Sequence, residues 1–494
     1  MFGQLANAGQ YTTLGSSPYG SLMASQGELN ELYKAISAGQ DTAPGGANPT
    51  GFALRPESLE RMLKILTFRD DHVVFWKDIN KLPAYSTVEE YNVLQSYGQE
   101  RLSAFTAEGT LPIADDSVYE RQLLRVKFMG TLRAVSHPMG LVTTAHGDVI
   151  DNETKAGTLW LMRQIERSLF FGDETVQPNE WFGYSHLISR PPAGATVTDD
   201  PTACTGVVID LKNVGTGLGN TMTQDDLDEA SERVYGSGNF GKLSDLYYST
   251  SAHRRFANNV LGAGGANIRF NVDNQQGGPL MAGFTMKAFA SQFGDINLHP
   301  DVFLSPRGDS PANLTTGFAS GDAAERPGTP TLGIAVGAGT GGEWGTATAT
   351  YTYTVVAINA AGNSDAAATV TQAVAAATNE VEIAITQGAG PAPTGYVIYR
   401  SLPGATNILY EIGRTRFTAS PQTYVDRNQI VAGTSMAFAF TMAPDVLSFR
   451  QLAPFTKIPL AQIDLNTRWA QVLYGAPALY APAKCAMFIN VGDV

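Results

Sequence analysis

Three short stretches carry residues of the kinds that chemistry uses. "GSGNFGKL", Gly236 to Leu243, comes within one position of the phosphate-cradling pattern G-x-x-x-x-G-K-[ST]. That pattern needs a hydroxyl after the lysine to hold Mg²⁺ and a strand before the loop. Leu243 stands where the hydroxyl belongs, and the helical "LDEASERVY" precedes the loop, so an ordinary glycine turn is expected. "DDLDE", Asp225 to Glu229, offers oxygens to a hard cation, but its spacing is not that of an EF-hand loop. Acidic residues in a first helical turn also complement the helix dipole without any metal. His137, His146 and Asp148 are close in sequence but lack a fixed helical spacing and a fourth ligand, so they read as isolated residues. No G-x-S-x-G elbow, H-E-x-x-H or paired-cysteine motif occurs. The expectation is a protein that is not an enzyme, with no cofactor and no metal site.

Composition narrows the class. The 494 residues suffice for two to four domains. Charged residues are 16% of the chain, against roughly 25% in an average soluble domain. A surface so poor in charge suits a chain covered by other copies, or one whose surface is polar but uncharged. The net charge is 33 − 46 = −13, with no basic stripe of the sort that grips phosphates. Cys204 and Cys485 cannot frame a disulfide scaffold and read as reduced, buried thiols. Neither a signal peptide nor an apolar run of spanning length is visible, which points to synthesis in a cytoplasm and no membrane partner.

The elements follow in order. Residues 1–53 are rich in Gly, Ser and Ala, the composition of an extended arm. "RPESLERMLKIL" places Leu59, Met62, Leu63 and Leu66 on one helical face. In "YERQLLRVKFMGTLRAVS", Leu124, Val126 and Phe128 alternate with Arg125 and Lys127, predicting a strand with a basic outer face. "TAEGTLPIADDSV" reads as a turn, so residues 84–135 form a long two-stranded projection that must lie on a partner. "DNETKAGTLWLMRQIERSLFFGD" is the clearest helix, with Asp151 or Asn152 as cap, Gly172 as stop, and Leu159, Met162, Ile165 or Glu166, and Leu169 on one face. Thr223 and Asp226 form a capping-box-like pair ahead of a second helix.

Near Arg326–Pro327 the composition shifts to Thr, Ala, Gly and Val, and stays so to about Val431. "YTYTVVAINAAGNSDAA" resembles a strand and turn of a fibronectin type III module, with Tyr351, Tyr353, Val355 and Ala357 on one face. The Gly-rich "VGAGTGGEWG", residues 336–345, reads as a flexible lead-in loop rather than a dinucleotide fingerprint. Mixed sequence returns afterwards, so the module is an insertion in a host domain.

With the order in view, the chain resembles the major capsid proteins of tailed bacteriophages, the HK97-like fold. The resemblance rests on "LRPESLERMLKILTFRDDHVVFWKDINKLPAYSTVEEYNVLQSYG", on "GTLRAVSHPMGLVTTAHGDVIDNETKAGTLWLMRQIERSLFFGD", and on "FTKIPLAQIDLNTRWAQVLYGAPALYAPAKCAMFINVGD". It implies an α+β fold: an N-terminal arm (1–53), a lead-in to the peripheral domain (54–83), an E-loop (84–135), a peripheral domain with spine helix 152–171 (136–230), an axial domain (231–326), an inserted Fn3/Ig-like β-sandwich (327–436), and a return to the peripheral domain (437–494). It also implies pentamers and hexamers of the chain itself, tiling an icosahedral phage head in the virion, assembled in the bacterial host cytoplasm. Further implied partners are a separate scaffolding protein, a portal, cementing proteins, and double-stranded DNA held without sequence specificity.

On that view Arg121, Arg125 and Lys127 meet acidic groups of an adjacent subunit, and reversing all three charges blocks assembly while the monomer still folds. A solvated basic face is the plainer account of the same residues. The sandwich stands outside the shell, binding a surface or bracing neighbours. The alternatives are a phage tail or adhesin-type binding protein carrying the module, and a hydrolase with an accessory sandwich.

Overall fold

The computed structural model describes residues 67–98, 103–111, 113–142, 147–189, 205–236, 239–262, 286–306, 308–462 and 464–492. The expected arm (1–53) and the helix anticipated at 56–66 lie outside the described residues, as do His146 and Cys204. The elements below fall in one compact unit, residues 66–142 and 148–494. Helices and strands are mixed, in an α+β arrangement dominated by sheet.

A six-stranded sheet runs in the order Val207–Asp210, Ala486–Gly492, Thr434–Phe440, Asp245–Ser249, Gly294–Asp301, Ala288–Ser291. It is buried on both faces. Phe438, Phe440, Tyr247 and Met487 join one core with Ile165, Leu169 and Phe170 of the long helix. Ala437, Ala439, Leu246 and Phe488 join a second core on the other face. That core is completed by Leu227 and Val234 of the helix Gln224–Tyr235 and Phe256 of the helix Thr250–Gly262. Burial on both faces explains why "MAFAF" and "AMFI" are unbroken apolar runs rather than alternating ones.

A four-stranded sheet, in the order Lys81–Pro83, Leu447–Pro459, Asn466–Leu479, Lys127–Ser136, lies beside it and contributes Phe449 and Leu473 to the first core. Lys127–Ser136 was expected in the projecting loop. Instead it pairs along its length with Asn466–Leu479, Lys127 opposite Gly475 and Ser136 opposite Asn466.

The long helix spans Val149–Phe171, three residues earlier than expected at its start, and ends at Gly172. Asp148 is its cap, accepting from Ile150 N at 2.8 Å, so Asp151 and Asn152 fall inside the first turn. Its buried face is Gly157, Leu161, Ile165, Glu166, Leu169 and Phe170. Leu161 takes the core position that the periodicity assigned to Leu159.

Residues 308–426 build two antiparallel sheets. One runs Gly308–Asp309, Leu409–Arg416, Gly395–Ser401, Thr350–Asn359, Gly362–Asn363, with Val370–Ala373 also on Thr350–Asn359. The other is Thr331–Val336, Val381–Thr386, Gln422–Asp426. Between them Trp344, Tyr351, Tyr353, Val355, Ala357, Ile383 and Ile398 form a core, with all four residues expected on one strand face present. The opposite face of Thr350–Asn359 is buried too: Val356 and Ile358 pack with Leu314 and Val176. The two-sheet unit therefore extends upstream of the expected boundary at 327, taking in the helix Pro311–Thr316.

Candidate assembly surface

The projecting element is the hairpin Val88–Ser96 with Val118–Arg125, Val88 opposite Arg125 and Leu94 opposite Tyr119. Its neck is closed by Val126 N donating to Thr87 O at 2.9 Å and by Ala84 N donating to Gln451 O at 2.8 Å. Tyr91 packs edge-on to Tyr480 of the body at 4.8 Å. Beyond that foot, Tyr97, Phe105 and Leu111 are 89%, 94% and 91% exposed. A two-stranded ribbon is marginal in water, and large apolar side chains at its tip make it more so without a surface to lie on. The sequence reading took the tip as a turn only; apolar residues set among turn formers were the missed signal.

The three cations anticipated on this element take different roles. Arg121 faces Glu90 across the hairpin at 3.2 Å, with both side chains more than half exposed. Arg125 is 74% exposed and lies 3.9 Å from Glu174. Lys127 turns inward, donating to Glu174 Oε1 at 2.9 Å and to Pro178 O at 2.6 Å. The expected alternation breaks at Val126, where one strand ends and the next begins, so Lys127 points in and Phe128 points out. The basic outer face is thus Arg121 and Arg125, bordered by exposed Phe128 and Leu132.

A second constellation joins the sandwich to the body. Lys212 Nζ donates to Glu343 Oε2 and, at 3.1 Å, to Asn428 O. Asn428 Nδ2 donates to Gly217 O at 2.8 Å. Thr346 N and Ala347 N donate to Gly215 O and Thr216 O, each at 3.0 Å. Behind this seam Arg400, almost wholly buried, donates to Asp426 Oδ2 at 2.6 Å and to Asn428 Oδ1 at 2.7 Å beneath the Trp344 ring. At the other end Arg167 of the long helix pairs with Glu411 at 3.6 Å, and Glu411 accepts from Arg414 Nε at 2.7 Å. The Glu411 carboxylate, with a smaller opposing effect of burial, raises the Arg414 guanidinium above its usual range.

The chemical motifs dissolve into structure. "GSGNFGKL" ends the helix Gln224–Tyr235, with Gly241 N donating to Val234 O at 2.9 Å and Leu243 in the core. Thr223 and Asp226 make the anticipated capping box, so the acidic run serves the helix start. His137 opens a short helix while Asp148 caps the long one. Among the described residues no group of three His, Cys, Asp or Glu is placed to hold a metal ion. Cys485 is buried, and burial pushes its thiol up to about 12.

A large subunit whose apolar hairpin tip is uncovered has the makings of a shell component, and phage capsid proteins are what it is similar to. The chain is 27% identical over 478 residues to the major capsid protein of Staphylococcus phage S25-3, covering 93% of this chain and 95% of that one. Staphylococcus phage K has a major capsid protein 27% identical over 468 residues, with the same coverage. A protein of Enterococcus phage phiEF24C, provisionally given the same name, is 28% identical over 469 residues, 93% of this chain and 94% of that one. Solved structures with which the chain aligns include the capsid of a native GTA particle and the capsid of Myoviridae phage XM1. The first gives a TM-score of 0.45 at 8% identity, covering 91% of this chain and 99% of that one. The second gives 0.43 at 9% identity, covering 90% and 99%. No protein-family model matches the chain.

Proposed function

We infer that this chain is a major capsid protein, the repeating subunit of an icosahedral phage head. The observation that carries the reading is the hairpin Val88–Arg125, which leaves Tyr97, Phe105 and Leu111 uncovered in the lone subunit. Similarity to phage major capsid proteins along 93% of the chain supports it. The subunit closes into pentamers and hexamers by heterologous, ring-forming contacts, each weak contact reinforced by the many made at once. The hairpin is the E-loop of an HK97-like fold and the long helix its spine helix; the axial stretch 231–326 supplies three strands of the six-stranded sheet, and the other three come from Val207–Asp210, Thr434–Phe440 and Ala486–Gly492, outside its expected bounds. Residues 1–53 serve as an arm on a neighbour. A separate scaffolding protein, a portal, cementing proteins and packaged double-stranded DNA are the remaining partners, and assembly takes place in the host cytoplasm.

The two-sheet unit is an inserted Ig-like domain that braces its own subunit. The ties from Lys212 to Asn428 and from Arg167 to Glu411 favour a strut over a freely swinging surface binder.

Electron microscopy of the full-length protein, alone and co-expressed with the scaffolding protein of its phage, tests the reading. Rings and closed shells are expected; a solitary monomer under both conditions would overturn it. Within that test, Arg121→Glu with Arg125→Glu abolishes shells while circular dichroism of the monomer stays unchanged.

A further inference from the structure

Glu166 projects from the buried face of the long helix into a space without water access, and its surroundings are unusual. Its carboxylate accepts three backbone donors: Val74 N at 2.9 Å and Phe75 N at 2.7 Å on Oε1, and Trp76 N at 2.8 Å on Oε2. It thereby ends segment 68–74 and starts the short helix Phe75–Asp78, tying the chain just ahead of the hairpin to the long helix. The other group against it is a second carboxyl, Asp301, also fully buried. Asp301 Oδ1 accepts from Phe303 N at 2.7 Å, while Oδ2 has no donor from backbone or base. Among the described residues no basic side chain is paired with either acid.

Two adjacent buried carboxylates cannot both stay ionised at modest cost. Three N–H donors favour the anion on Glu166, while burial and the neighbouring Asp301 carboxyl oppose it, so one proton is shared between the two groups. We propose that the Glu166 and Asp301 carboxyls share one proton at neutral pH, which makes the pair a pH-sensitive latch on segment 74–76. The pair titrates as a unit. Burial first, then mutual repulsion, raises its hold on the last proton above the ordinary carboxylate range.

The other charged groups nearby are already engaged. On the latched segment, Asp78 accepts from Tyr247 Oη at 3.0 Å, and Lys81 Nζ donates to Trp76 O at 2.6 Å. His299, on the strand that ends at Asp301, binds Asp245 at 2.9 Å. On the long helix itself, Arg163 and Arg167 line a separate cavity with Phe68 and Phe303, and Arg167 is paired with Glu411. Of these basic groups only Lys81 feels the Glu166 charge, and its ammonium is bound to the Trp76 carbonyl rather than to either carboxyl.

The sign follows from proton counting. Above about pH 4.5 an unfolded carboxyl has lost its proton while the folded pair keeps one. Stability is therefore full below that pH and falls as pH rises through about 6 and then about 8.

The test compares thermal unfolding of full-length wild type, Asp301→Asn and Glu166→Gln between about pH 5 and about pH 9. The amide of Asp301→Asn mimics the protonated acid, so that variant is expected to keep wild-type stability at low pH and to decline less toward alkaline pH, since burial still raises Glu166 but the second charge is gone. Glu166→Gln turns an amide N–H toward Trp76 N, so its midpoint drops at every pH. Parallel wild-type and Asp301→Asn curves overturn the proposal. Should Asp301→Asn not fold, hydrogen exchange at Val74, Phe75 and Trp76 in wild type decides. Protection corrected for intrinsic rate is expected to fall across the same window; protection independent of pH overturns the latch.

Discussion

Lys212 Nζ donates to the backbone carbonyl of Asn428, a residue 216 positions later, at 3.1 Å. One belongs to the body and the other to the last turn of the sandwich, where Asn428 adopts φ 60°. Lys212→Met removes the donor and leaves that buried carbonyl unmatched, at a cost of about 1–3 kcal/mol. The expected result is a lower denaturation midpoint with faster hydrogen exchange at Thr346 and Ala347, whose amides cross the same seam. Unchanged exchange there would mean the seam holds without the lysine.

Arg400→Leu should be more damaging. Its guanidinium neutralises Asp426, which also accepts from Tyr353 Oη at 3.0 Å. Breaking a buried pair from one side leaves an uncompensated charge and costs about 3–5 kcal/mol. Because Arg400 lies 4.9 Å from the Trp344 ring, indole fluorescence reports the loss locally before global unfolding.

Gly157 sits inside the long helix, where alanine ordinarily gains about 1 kcal/mol. Here a methyl would collide with Gln471 Oε1 and sit 3.2 Å from Arg133 Nε. Gln471 is held by its own bond from Nε2 to Thr154 O at 2.7 Å. Gly157→Ala is therefore expected to destabilise. Adding Gln471→Ala should recover most of the loss, a non-additivity that a double-mutant cycle of melting temperatures measures.

Lys127→Glu separates an internal role from an external one. Facing Glu174 and the Pro178 carbonyl, a carboxylate there loosens the monomer and lowers its melting temperature. Reversal of Arg121 or Arg125 leaves monomer stability within about 0.5 kcal/mol of wild type, as at exposed positions generally.

What the sequence disclosed follows the range over which each signal acts. The face Tyr351–Tyr353–Val355–Ala357 was legible because strict alternation marks a strand. Burial of Val356 and Ile358 on the other face was not, since a second layer turns alternation into a plain apolar run. "LWLM", residues 159–162, offers four apolar residues in a row, so the phase of the long helix could not be fixed and Leu161 displaced Leu159. Lys127 was misplaced by carrying one alternation across two strands. The seams at Lys212, Arg400 and Glu166 join residues 26 to 216 positions apart. Nothing in local spacing announces them.

The six-stranded sheet places Ala486–Gly492 second in its order, between Val207–Asp210 and Thr434–Phe440. During translation, then, a ribosome must deliver more than 480 residues before that gap can be filled. Until then the edges of Val207–Asp210 and Thr434–Phe440 stand open, and folding of the body waits on the arrival of residues 486–492. Truncated products from stalled translation would lack this inner strand, leaving polysomes free of prematurely competent subunits.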